Sequence, residues 1–397
     1  MKQNGRIDRI RTPKGFLTAA AALALYFVFS EAALDIAALN KMDNENAYYI
    51  SKTFSKEQRE KAERFAKDLE SAGERAVIVP GTILYKYKPI KTESFSINSL
   101  GFRGDEIKPK KPGEYRIAVF GDSKTIGFLL ADEDTVPAQT EKELRRRMPD
   151  RNFTVLNFGI EAYDLQRASA AARLHYKEID PDLIIFSLGG VDVNEAFYFG
   201  TMNWTPFEEG DPLPPIFRKD ASTKVFGSKI LNALKISVAN SSYEMTEKID
   251  DSDLPGSPVP PEKAAFLADF PAVFAGRAQA ISGYFKARNI PTLILLSPLA
   301  QVKKHLSDIE KEILFRQDLS LPGINLFTRE CYREMIKKVM SQHDFAAADH
   351  TAIFDDTDET VFFDGLHLTP DAAKTAAVKL SEEIIKIMET GDSVEKN

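Results

Sequence analysis

Arg116-Ile117-Ala118-Val119-Phe120-Gly121-Asp122-Ser123-Lys124-Thr125-Ile126-Gly127 is an apolar run that breaks at Gly-Asp-Ser and leads towards a segment of helical period, 135–147. A buried strand, a turn and a helix make the repeating unit of a parallel α/β sheet, and such sheets keep their ligands at the carboxyl ends of the strands. A serine in that turn is well placed for nucleophilic chemistry, because nearby helix amides can stabilise an oxyanion. The competing reading is that Asp122 or Ser123 only caps the helix. Taken alone, a tripeptide this short recurs by chance, and the cap is its better reading.

Similar runs recur at 153–158, 183–188 and 292–296, with helical-period segments such as 135–148 and 165–178 between them. Short apolar strands alternating with longer amphipathic stretches predict a parallel sheet covered on both faces. The expected class is α/β, a flavodoxin-like three-layer sandwich over residues 115–390, with a tail at 391–397. An aromatic-rich stretch at about 195–260 interrupts the alternation and ends in a Pro/Asp/Ser loop. It reads as a lid over the site, as packing over the sheet, or as support for an oligomer. Ahead of the domain, residues 40–114 read as a lead-in: a stalk or packing helix announced by Ser55-Lys56-Glu57-Gln58, then β-like stretches at 76–87 and 94–104.

The 397-residue chain, 43% hydrophobic, is long enough to bury a sizeable core. Its net charge is −7; Lys2, Arg6, Arg9, Arg11 and Lys14 against Asp8 give the first fourteen residues +4, leaving −11 on the rest. So acidic a body argues against nucleic acid as a partner, since phosphate contacts need clustered Lys and Arg. One cysteine, Cys331, excludes an internal disulfide and any multi-cysteine metal site. No spacing of His and carboxylates suggests a metal site, and no cofactor is expected. Residues 16–29 are almost wholly apolar and follow the basic flank directly, so 1–39 reads as a membrane anchor or as a cleaved signal peptide. In either case the positive flank stays in the cytoplasm and the remainder lies outside it.

Near the carboxyl end stands Phe363-Asp364-Gly365-Leu366-His367-Leu368-Thr369-Pro370, followed by a helical period over 372–388. Thr369 suits an N-cap and Pro370 the first helical position, which sets His367 in a short loop before the last helix. Asp364, in the same loop, can hold one imidazole nitrogen and leave the other to take a serine proton. His367 alone would more often be a structural histidine. His175, His305, His343 and His350 have no comparable partner and are read as structural.

Gly121-Asp122-Ser123 after the first strand and Asp364-x-x-His367 before the last helix resemble the first and last sequence blocks of the SGNH (GDSL) hydrolase superfamily. The likeness extends from Asn98 to Met388, because Asn98-x-x-Gly101-Phe102-Arg103-Gly104 is similar to the segment preceding the first strand in membrane-anchored bacterial members. It implies Ser123 as nucleophile, His367 as general base and Asp364 as its orienting partner. For the oxyanion it implies the amides of Ser123 and of Gly159, in Leu156-Asn157-Phe158-Gly159, and an asparagine side chain from a Gly-x-Asn-Asp block. That block here is Gly189-Gly190-Val191-Asp192-Val193-Asn194, with Val191 in place of the asparagine. Losing one oxyanion donor costs about 10²–10³ in rate, and Asn194 is the candidate replacement. Lys124 stands where the named motif has leucine. The function implied is an extracytoplasmic esterase acting on O-acyl, best O-acetyl, groups of cell-envelope glycans. The alternatives are an O-acyltransferase using the same triad, or an inactive glycan-binding scaffold.

Overall fold

The structure, a computed structural model, describes residues 48–71, 76–79, 84–199, 254 and 256–394. The expected anchor at 1–39, most of the 195–260 insertion and the last three residues lie outside these. No helix among the described residues is long and apolar enough to cross a membrane.

Residues 48–53 are helical, and helix α1 (Lys56–Ser71) follows with its capping pattern realised: Ser55 Oγ accepts from the Gln58 amide, and Gln58 Oε1 accepts from the Ser55 amide. Two short antiparallel pairs follow, β1 (Ala76–Ile78) with β2 (Tyr85–Tyr87) and β3 (Ile90–Lys91) with β4 (Ser96–Ile97). The main sheet then starts with β5 (Glu114–Gly121), which is followed by the four-residue helix α2 (Ser123–Ile126) and by α3 (Val136–Arg147), capped by Thr135. Strand β6 (Asn152–Gly159), helix α4 (Leu165–Ile179), strand β7 (Leu183–Leu188) and helix α5 (Gly190–Phe199) continue the alternation. The rest is α6 (Pro261–Lys286), β8 (Thr292–Leu296), α7 (Asp308–Ser320), α8 (Ile324–Met340), β9 (Ala346–Asp349) and α9 (Pro370–Val394).

All five main strands are parallel, in the order β6-β5-β7-β8-β9. This is the flavodoxin-like order, and its topological switch point lies between β5 and β7. Period-two alternation divides the side chains between two cores. Ile117, Val119, Phe153, Leu183, Ile185, Leu293 and Leu295 pack with Leu144 of α3 and with Leu380, Ile384 and Met388 of α9. Ala118, Phe120, Phe158, Ile184, Phe186, Ile294 and Leu296 pack with residues of α4, α6 and α8, among them Ala168, Phe274 and Phe327. Each large apolar side chain buried here contributes about 1.5–3 kcal/mol relative to exposure.

One strand and one helix end lie outside the sequence expectation. Strand β9 has the sequence Ala-Ala-Ala-Asp, without the branched or aromatic residues that mark a strand, and pairing with β8 places it at the sheet edge. Helix α9 runs to Val394, into the segment expected to be a tail, because nothing in Glu389–Val394 breaks a helix except one glycine.

Candidate active site

The Gly-Asp-Ser turn performs two tasks with two residues. Asp122 is the N-cap of α2: its Oδ1 accepts from the Lys124 amide at 2.9 Å, and its carbonyl accepts from the Thr125 and Ile126 amides at 3.1 and 3.0 Å. Ser123 is the first helical residue, so its own amide has no acceptor within the helix. Glycines allow α2 to lie directly on the strand ends. A Cβ on Gly121 would come within 2.1 Å of Thr125 Oγ1, and one on Gly159 within 2.1 Å of the Ile126 nitrogen.

The carboxyl-terminal loop meets this turn at the switch point. His367 Nε2 lies 2.7 Å from Ser123 Oγ, and His367 Nδ1 lies 2.6 Å from Asp364 Oδ2. The Asp364 carboxylate can only accept, so Nδ1 carries the proton, and Nε2 is left to accept from the Ser123 hydroxyl. Asp364 is itself held, its Oδ1 accepting from the amides of Leu366 and His367 at 3.1 and 2.8 Å. The loop closes as a narrow turn: Thr369 N donates to Val361 O, Phe363 N to His367 O, and Gly365 turns with φ +83. Thr369 Oγ1 accepts from Ala372 N, and Pro370 begins α9, so the cap expected there is present. Buried Glu310 fixes the loop from behind, its carboxylate accepting from the Val361 and Phe362 amides and from Lys303 Nζ.

The electrostatics suit a histidine base. Burial disfavours the His367 imidazolium, but the adjacent Asp364 carboxylate outweighs it by charge and hydrogen bond, and the group is held above its ordinary value. Burial also works against the Asp364 carboxylate, yet His367 and the two amides keep its pKa below the usual carboxylate value. Phe128 and Phe363 lie beside the imidazole, with ring centroids 5.0 and 5.8 Å away.

The residues expected around an oxyanion are less closely assembled. Gly159 ends β6 next to α2, but its amide already donates to Asn157 Oδ1 at 3.0 Å, so the closeness of α2 accounts for the glycine. Val191 is buried in the first turn of α5. Asn194 lies half-buried one turn beyond Gly190 and makes no hydrogen bond to the triad among the described residues. Asp192 is structural, accepting from the Leu165 and Gly189 amides. Among the described residues no group of His, Cys, Asp and Glu could hold a metal ion.

Two contributions escaped the sequence reading. In the sequence Arg103 is marked only by the resemblance. It is 4% exposed and donates to the carbonyls of Ile126, Gly127 and Leu130 while pairing with Asp132 at 2.6 Å, so it holds the chain that leaves the helix of Ser123. Lys124 enters the sequence reading only as a departure from the motif, yet its side chain is buried beside Asp122, with Nζ 3.9 Å from Oδ2.

No family model matches the chain, and no curated protein matches it. Among solved structures the chain is similar to an α/β hydrolase from the metagenome of Lake Arreo, Spain, at 11% identity over 66% of this chain and 91% of that one, with a TM-score of 0.35. It is similar to an acetylxylan esterase from Geobacillus stearothermophilus, at 12% identity over 68% and 94% of the two chains, with a TM-score of 0.34. A two-domain esterase active on acetylated mannans aligns at 14% identity over 70% of this chain and 51% of that one, with a TM-score of 0.37. Likenesses this distant leave the chemistry to be argued from the residues.

Proposed function

We propose that this chain is an SGNH-type serine esterase that removes O-acyl groups, acetyl being the best candidate, from glycans of the cell envelope. The observation that carries the proposal is the unbroken line from Ser123 Oγ through the His367 ring to Asp364 Oδ2, at 2.7 and 2.6 Å. Ser123 Oγ attacks the ester carbonyl as His367 Nε2 takes its proton, and Asp364 stabilises the imidazolium that forms. The Ser123 amide holds the developing oxyanion. His367 then returns the proton to the departing alcohol, leaving an acyl-enzyme. Water, activated by the same nitrogen, releases the acid and restores Ser123. A sugar hydroxyl in place of that water would give acyl transfer through the same intermediate. The proposal places the site outside the cytoplasm, with 1–39 as anchor or cleaved signal, on the strength of the basic flank and apolar run at 2–29.

The test is labelling with a fluorophosphonate together with release of acetate from 4-nitrophenyl acetate. The wild-type chain should do both and Ser123→Ala neither. A folded wild-type protein that takes up no probe at Ser123 would remove the esterase reading and leave the inert scaffold.

A further inference from the structure

Lys124 presents a buried ammonium that the chemistry proposed above does not use. Its side chain is 4% exposed, its Nζ makes no hydrogen bond among the described residues, and its one ion contact is the 3.9 Å approach to Asp122 Oδ2, itself without a hydrogen bond. A cation this deep without a hydrogen bond costs several kcal/mol unless nearby charge offsets it. The tip of the side chain is located by Gly190, where an added Cβ would stand 3.1 Å from Lys124 Nζ, 2.8 Å from Leu299 and 2.9 Å from Leu366. Gly190 opens α5, and Leu366 is the residue before His367. The ammonium therefore sits under the junction of the Ser123 turn, the Gly189–Asn194 block and the His367 loop.

Three carboxylates act on it: Asp122 from the nucleophile turn, Asp192 from α5 and Asp364 from the His367 loop. Burial still dominates and lowers the affinity of Lys124 for its proton. Lys124 also borders a cavity of about 30 Å³ with Thr125, Ser187, Ser297 and His350. His367 in turn feels Asp364 and Asp122, which favour its charged form, and Lys124, which opposes it.

We propose that Lys124 is a positioning residue for the esterase reaction: its buried ammonium is the counter-charge that lets the Asp122 and Asp364 carboxylates converge beneath Ser123 while His367 remains a neutral base. The inference rests on the esterase reading for its purpose but on the geometry of the charges for its substance. It also gives a physical reason for a lysine where the resembled motif has a leucine: a leucine would leave the carboxylates with no cation among them.

The experiment reads His367 directly. The titration midpoints of the five histidines are followed by NMR through their ring resonances, with His367 assigned by its loss in His367→Asn, and the acid limb of kcat/KM is recorded alongside. Lys124→Met should raise the His367 midpoint and the limb by about half a pH unit or more, as removal of a nearby positive charge requires, whereas Lys124→Arg should leave both near wild type. Should Lys124→Met fail to fold, the comparison moves to Asp122→Asn, in which asparagine still caps α2. Adding Lys124→Met to Asp122→Asn should raise the midpoint relative to Asp122→Asn alone. An unmoved midpoint in whichever pair is folded overturns the proposal, as does a shift in Lys124→Arg equal to that in Lys124→Met. Because the NMR readout needs no turnover, an inactive wild-type protein would count against the esterase reading alone.

Discussion

Replacing Asp364 with asparagine separates the geometry of the triad from its chemistry. Asp364 Oδ1 accepts from the amides of Leu366 and His367 at 3.1 and 2.8 Å, and an asparagine carbonyl can do the same. The loop therefore keeps its shape, and the new NH₂ takes the place of Oδ2, 2.6 Å from His367 Nδ1. A donor facing Nδ1 selects the imidazole tautomer with its proton on Nε2. That nitrogen, 2.7 Å from Ser123 Oγ, then donates where it had accepted, and the serine has no base. The imidazolium also loses its counter-charge. By the cost of the wrong tautomer in a serine triad, kcat should fall about 10⁴-fold, or roughly 5.5 kcal/mol of transition-state stabilisation. Initial rates of 4-nitrophenyl acetate hydrolysis between pH 7 and 8 measure it, with Ser123→Ala as the floor and thermal melting to show that the fold persists. A folded Asp364→Asn protein turning over within tenfold of wild type would refute the argument, because the hydrogen-bond direction at Nε2 would then not matter.

Two further predictions concern stability. Arg103→Met removes the donors that hold the Ile126, Gly127 and Leu130 carbonyls and orphans one Asp132 contact, so it should cost about 3–5 kcal/mol in denaturant unfolding. Arg103→Lys should recover less than half of this, since one ammonium cannot span those acceptors; a loss below about 1 kcal/mol in Arg103→Met would show that the clamp is idle. Burial pushes the His350 imidazole down to about 4, against an ordinary value of 6.5. The unfolded chain then binds the extra proton between those two values, so this stabilisation is complete above pH 6.5 and is lost as pH falls towards 4. Between pH 7 and 4.5 the wild-type protein should lose about 2 kcal/mol more than His350→Leu does, and equal losses in guanidinium titrations would contradict it.

The sequence disclosed those features that rest on local patterning. Strand β7, 183–188, and β8, 292–296, are predominantly apolar runs, each with a single hydroxyl residue, and their limits coincide with the observed strands. Asp364 and His367 were legible because Thr369-Pro370 marks a helix start and three residues is within side-chain reach. Strand β9 was not, since alanines carry no strand signal and its place is set by pairing with β8. The Gly159 amide shows another limit. A glycine after a strand is compatible with an oxyanion donor and with close packing, and only coordinates reveal that Asn157 already occupies the amide and that α2 leaves no room for a Cβ. Lys124 was illegible for a similar reason: beside a serine a lysine is ordinarily exposed, and its burial follows from the convergence of three segments distant in sequence.

The same convergence decides where the domain that carries the candidate site begins. By composition it starts near Tyr115, with the helix and strands before it a separate lead-in. The contacts of that lead-in reach both halves of the site. Lys61 pairs with Asp134, which precedes α3, and Gln58 donates to Asp371 at the start of α9. Phe54 meets the ring of Phe363, four residues before His367, edge-on at 5.4 Å between centroids. Solvent-accessible polar pairs of this kind are worth at most about 1 kcal/mol each, so they do not decide the matter. Burial does: Phe54, Phe65, Phe95 and Phe102 are all at most 5% exposed, and at about 1.5–3 kcal/mol for each such side chain they outweigh the ion pairs several-fold. Phe102 inserts against Phe158 of β6, and this insertion carries its neighbour Arg103 to the carbonyls behind Ser123. The turn that makes this possible is local to the motif: Asn98 Oδ1 accepts from the Leu100 and Phe102 amides, and Gly101 takes φ +91 with no room for a side chain. The segment Asn98–Gly104 is therefore part of the scaffold that holds the Ser123 turn, and the domain that carries the candidate site extends back at least to Phe54.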